Sequence, residues 1–183
     1  MKRVKQLGLF MIITIIAIAL LYWVLQALAW RSPLFAFLVN WLVMAWVATS
    51  SEVIHVAFAP SYYAIKPFEE SGQLYERLGV RVFKRLMRRG PLAIFSLNLR
   101  LPPEKSIPAL RALESNMRNA ETLHVLIFLI LFLFIGYALV QGWLDAVGWL
   151  LLFNCLLNVY PVMLQRYNRI RLQELIQQQE ALL

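Results

Sequence analysis

The stretch Thr122–Val140, "TLHVLIFLILFLFIGYALV", decides the fold. After His124 it carries no polar side chain except Tyr137, and nothing in it breaks a helix but Gly136. A hydrocarbon core about 30 Å thick is crossed by about 20 helical residues, and a helix is the one single-segment structure that satisfies every backbone N–H and C=O without water. Three more stretches meet the same test, at about 7–29, 34–59 and 143–164. Hydrophobic residues make up 61% of the chain and charged residues 15%, a balance far from that of a soluble domain. The expected fold class is all-α, an integral membrane four-helix bundle forming one domain over 1–183. A polar segment, 60–121, separates the second and third spans, and a helical tail covers 165–183. The first apolar run is longer than the roughly 7–15 residues of a signal-peptide core and reads as a retained helix. Cys155 is the only cysteine, so it reads as a small buried hydrophobe rather than half of a disulfide.

Lys and Arg in short flanks resist translocation, so their positions orient the spans. Lys2, Arg3 and Lys5 precede the first span, eleven basic residues lie between Tyr62 and Arg118, and Arg166, Arg169 and Arg171 follow the fourth. Only Arg31 falls on the other side. The reading is a multi-pass inner (plasma) membrane protein with both termini and the central segment cytoplasmic. The net charge of +8 is then a topology signal drawn to an anionic leaflet and calls for no nucleic-acid partner. Trp30, Tyr62, Tyr63 and Trp143 sit where interfacial aromatic anchors belong.

Within the central segment, "GQLYERLGVRVFKRLMRRGP" sets Leu74, Leu78, Val82 and Leu86 at helical spacing among Arg and Lys. That pattern predicts a cytoplasmic interfacial amphipathic helix, stopped by Gly90–Pro91. "LPPEKSIPAL" breaks the chain again, and a helix capped by Ser106 is expected to run into the third span.

The two histidines each have a glutamate three positions earlier, Glu52 with His55 and Glu121 with His124. Residues i and i+3 share a helical face, so each pair reads as a compact acid and imidazole couple, and the topology puts both at similar depth. In the fourth span Asn154, Asn158, Pro161, Gln165 and Asn168 fall on one stripe, with Pro161 expected to kink the helix or free a carbonyl beside Asn158. One reading of these groups is acid–base catalysis by His124 or His55 with Glu121 or Glu52 beside it. Asn154, Asn158, Gln165, Arg166, Asn168 and Arg169 would then bind substrate and polarise a carbonyl. A second makes Glu52, His55, Glu121 and His124 the ligands of a divalent metal in a membrane enzyme acting on a lipid. A third is a non-enzymatic lipid-binding or assembly subunit whose polar core fixes helix packing. A homo-oligomer is compatible with each.

"YERLGVRVFKRLMRRG", "AETLHV" and above all "NVYPVMLQRYNRIR" resemble the motifs of the glycosyl-4,4'-diaponeurosporenoate acyltransferase family, with the similarity spanning helices two to four. The resemblance implies a bacterial plasma-membrane enzyme that transfers a fatty acyl group to a sugar hydroxyl of a carotenoid glycoside, late in pigment synthesis. It implies a lipid or glycolipid substrate and acyl-CoA or another acyl donor as cosubstrate. It carries over no catalytic residue.

Overall fold

The computed structural model describes residues 2–89, 101–102 and 106–181, and among these the regular structure is wholly helical. The elements are α1 (Lys2–Ala27), α2 (Pro33–Ser51), α3 (Pro60–Tyr63), α4 (Gln73–Arg77), α5 (Val80–Arg89), α6 (Ile107–Val140), α7 (Leu144–Asn154) and α8 (Tyr160–Glu180). A π-helical turn, Cys155–Val159, joins the last two. Four helices are long and apolar enough to cross a membrane: α1, α2, α6 and the continuous run Leu144–Glu180. The chain divides into two compact units, Met1–Ala57 with Leu123–Val159, and Phe58–Thr122 with Tyr160–Leu183.

The first unit holds the apolar helices. α2 starts on Ser32, whose hydroxyl accepts the Phe35 N–H at 3.1 Å, with Pro33 at the first helical position where its missing N–H costs nothing. It buries Phe35, Val39, Val43 and Val47, a stripe at four-residue spacing, with Ile127 and Leu131 in the same core. α6 ends in a turn at Gly142 (φ 71°), where the Trp143 N–H reaches the Ala138 carbonyl at 2.9 Å. Beside it Trp30 packs against Tyr137 and Trp143, with ring centroids 4.9 and 5.8 Å away.

α2 is shorter than its sequence suggests, ending at Ser51 instead of near residue 59. Thr49 and Ser51 turn their hydroxyls back onto the Ala45 and Ala48 carbonyls at 2.7 Å each, and the Val53 and Ile54 N–H groups both converge on the Ser50 carbonyl. Such local hydrogen bonds compete with helix continuation, and Pro60 then holds Ala59 extended (ψ 145°). Pro161 has the effect expected of it. It offers the Leu157 carbonyl no donor four residues on, and the backbone widens into the π turn just before it. Cys155, in that turn, is exposed rather than buried.

In the second unit the amphipathic stretch forms two helices rather than one. Gly79 (φ 81°) separates α4 from α5, because a left-handed residue ends a right-handed helix. Tyr75, Val80, Tyr167 and Ile170 form one core there, and Leu110, Leu113, Met117, Leu172 and Ile176 another, so the apolar side of the tail is used against α6. α6 begins directly after Ser106. The expected stops at Gly90–Pro91 and Pro103 lie outside the described residues.

A Cβ on residue 79 would meet nothing closer than the Tyr160 hydroxyl at 4.0 Å, so the effect of adding one is conformational. Gly79→Ala should destabilise the protein by about 1 kcal/mol or more, and Gly79→Asn, which tolerates positive φ, by less. Thermal unfolding in detergent checks this ordering.

Candidate active site

Unit one contains a buried chain of amides that ends on an imidazole. Asn40 of α2, Asn154 of α7 and Asn158 of the π turn are each 1% exposed, so every polar atom needs a protein partner. Asn40 Nδ2 donates to the Ala36 carbonyl at 2.9 Å, and Asn154 Nδ2 donates to the Phe128 carbonyl at 3.2 Å. Those backbone acceptors fix both amides, leaving the two Oδ1 atoms as acceptors. Asn158 Nδ2 donates to them at 3.3 and 2.9 Å. Its own Oδ1 can therefore only accept, and it faces His124 Nδ1 at 3.3 Å. The proton of a neutral His124 consequently resides on Nδ1, and Nε2 carries the lone pair. The main chain of Leu157, next to Asn158, is the ring's other hydrogen-bond neighbour. His124 itself is half-buried.

Unit two contains a buried charge cluster. Glu121 Oε1 accepts from Arg166 Nε and Oε2 from Arg169 Nη1, each at 2.8 Å. Arg166 Nη1 donates to Glu69 at 3.0 Å, and its Nη2 to the Tyr62 carbonyl at 2.8 Å. Arg169 Nη2 donates to the Tyr63 carbonyl. Glu69 also accepts from the Tyr75 hydroxyl and, at 2.9 Å, from the Lys66 N–H. Glu69, Glu121 and Arg169 are at most 1% exposed, and the two carboxylates balance the two guanidiniums. Burial and the neighbouring Glu121 carboxylate push the Tyr62 phenol up to about 12, so it stays protonated. Burial works against ionisation of Glu69, but Tyr75, the Lys66 N–H and Arg166 together outweigh it and hold the carboxyl below its ordinary value.

Residues 59–178 match the family model described as glycosyl-4,4'-diaponeurosporenoate acyltransferase. The chain belongs to this family. It is an acyltransferase, and its apolar helices make it a membrane protein. No curated protein and no solved structure matches the chain. The match takes in both polar clusters except Asn40 and begins at residue 59, after α2.

The residues singled out from the acyltransferase sequence fare unequally. Glu52 and His55 lie beyond the end of α2, both exposed, and share no helical face. Glu121 does not serve an imidazole: both its oxygens are occupied by arginines, and the acceptor that holds His124 is Asn158. Both Nδ2 hydrogens of Asn158 are engaged within the protein, and Arg166 donates through Nε, Nη1 and Nη2 to Glu121, Glu69 and the Tyr62 carbonyl. Asn154, Gln165 and Arg169 are buried, and Asn168 accepts from Lys84 Nζ at 2.6 Å. Among the described residues no three His, Cys, Asp or Glu side chains gather in a way that could hold a metal ion, so Glu52, His55, Glu121 and His124 do not form the expected ligand set. Glu69, Tyr75 and Asn40 were missed. Asn40 is the sole amide of the second apolar span, and that solitude was the available signal.

Removing one partner from a buried ion pair strands a charge, so Glu121→Gln should cost about 3–5 kcal/mol of stability, and Glu121→Leu with Arg169→Leu less than the two single changes summed. Glu69 has a folded pKa below its unfolded one. Its contribution is present above the unfolded value, near about pH 4.3, and is lost as pH falls through the folded value. The acid limb of a stability–pH curve should therefore be shallower in Glu69→Gln than in the wild type.

Proposed function

We propose that this acyltransferase moves a fatty acyl group onto a hydroxyl of a glycosylated lipid at the cytoplasmic leaflet, with His124 as the general base. The family's name points to a carotenoid glycoside as the acceptor. The observation that carries the reading is the hydrogen-bond polarity of the amide chain, which commits the His124 proton to Nδ1 and leaves Nε2 basic. A hydroxyl is a poor nucleophile until its proton has somewhere to go. In this scheme Nε2 takes that proton as the hydroxyl oxygen attacks the acyl carbonyl carbon. Collapse of the tetrahedral intermediate breaks the bond to the donor's leaving atom, and the proton passes from Nε2 to that atom. Donor thioester and acceptor alcohol become ester and thiol, with no acyl-enzyme required.

His124 is preferred to His55 because it is oriented by a buried partner and lies within the family match, whereas His55 is exposed and outside it. Asn158 acts through the ring and is a positioning residue. The cytoplasmic placement rests on the basic flanks and on α5, whose Val82 and Leu86 stay 68% and 64% exposed beside Arg81 and Arg85, as a helix lying among headgroups requires.

His124→Ala should lower kcat by about 10²–10⁴-fold while KM changes little, and His55→Ala should leave turnover within about twofold. Asn158→Leu should lower kcat and shift its pH profile, since the tautomer is no longer held. Steady-state rates on purified protein of unchanged elution volume test all three. Equal losses in His55→Ala and His124→Ala would remove His124 from its assigned role.

A further inference from the structure

Between α5, the polar half of α6 and α8, unit two has a partly open cavity of about 150 Å³ that neither polar cluster uses. Its wall is divided by chemistry. Lys84, Arg88 and Arg171 supply positive charge, Gln165 and Asn168 supply amides, and Met117, Leu164 and Leu172 supply an apolar side. Lys84 and Arg88 have no carboxylate partner among the described residues, and Arg171 has Glu174 at 3.2 Å and Glu76 at 3.9 Å. Lys84 and Arg88 repel each other, and the burial of Lys84, with Arg88 and Arg171 nearby, holds its ammonium below the ordinary lysine value. An anion in the cavity relieves both effects.

A second feature is independent of charge. Gln165 is 4% exposed, lines this cavity, and its Oε1 has no hydrogen-bond partner among the described residues. A buried acceptor without a donor costs about 1–3 kcal/mol. Among the described residues the cavity is thus lined by no carboxylate and no donor reaches Gln165 Oε1, while an apolar wall lies to one side. At about 30 Å³ for each water-sized volume it has room for a phosphate and a short arm, not for a whole cofactor.

We propose that this cavity binds the phosphate-bearing end of an acyl amphiphile, with Lys84, Arg88 and Arg171 on the phosphate and Gln165 accepting a hydrogen bond from the donor group beside it. Taking that amphiphile as the acyl donor rests on the acyl-transfer reading above. Two sources share this chemistry: a coenzyme A ester, with amide N–H groups on its arm, and an anionic phospholipid with headgroup hydroxyls.

The test is equilibrium binding to the full chain in phosphatidylcholine nanodiscs, with palmitoyl-coenzyme A as one probe and admixed phosphatidylglycerol as the other. Lys84→Gln and Arg88→Gln should each weaken the bound probe by about tenfold, and Lys84→Arg should restore it. Gln165→Leu should weaken it about fivefold while raising the thermal stability of the empty protein, a pair of effects that a structural role would not produce. Coenzyme ester binding that phosphatidylglycerol does not displace identifies the first source, and binding of phosphatidylglycerol alone the second. Either outcome supports a phosphate site. No binding of either probe, or binding indifferent to Lys84→Gln and Arg88→Gln, overturns it. His124→Ala should bind as the wild type does, so failure of the catalytic assignment is read separately from failure of this site.

Discussion

A primary amide buried between apolar helices has two donors and an acceptor to satisfy and no water to help. Asn158 meets that constraint with Asn40, Asn154 and His124. The solution is directional: backbone carbonyls at Ala36 and Phe128 terminate the chain at two ends, so every amide has one allowed orientation and the imidazole is forced to donate from Nδ1. Pro161 contributes by removing a backbone donor, and the wide turn that results contains Asn158 itself. Packing and chemistry are thus coupled at one residue. The groups that tie α2 to α7 and the π turn also decide which nitrogen of His124 is basic.

The arginines after the fourth span have a different task from the one their position suggests. Arg166 and Arg169 hold Glu121 and Glu69 and tie down the backbone carbonyls of Tyr62 and Tyr63, so the segment that follows α2 is fastened to α8. Full compensation of charge makes this cluster a poor place for proton transfer, because guanidinium donors within 3.0 Å already occupy the oxygens of both carboxylates. Its contribution to activity is indirect, through the shape of unit two. The cavity lined by Lys84 and Gln165 differs on this point, since among the described residues Lys84 and Arg88 have no carboxylate partner and Gln165 Oε1 no donor.

The membrane helices were plain in the sequence because length and apolar content are local properties, and of the stripe Asn154, Asn158, Pro161, Gln165 and Asn168 the first four emerged buried and the last half-buried. Partnership was harder to read. Spacing of three shows that Glu121 and His124 share a helical face, but not which groups oppose that face, and the opposing groups turned out to be arginines for one and an amide for the other. The Glu52 and His55 couple failed for a local reason: the Thr49 and Ser51 hydroxyls and the Ser50 carbonyl close the helix at Ser51, four residues short of His55. Glu69 and Tyr75 could not be found from periodicity, because they meet across irregular backbone and a five-residue helix. Gly79 was legible in principle, as a glycine in the middle of an amphipathic run, and its left-handed backbone splits that run in two.

The central claim concerns one proton, and nitrogen-15 NMR of histidine-labelled protein at neutral pH observes it. The resonances lost in His124→Gln should show a protonated Nδ1 and an unprotonated Nε2, held as a single tautomer. A His124 ring protonated on Nε2, or exchanging between tautomers, would contradict the account.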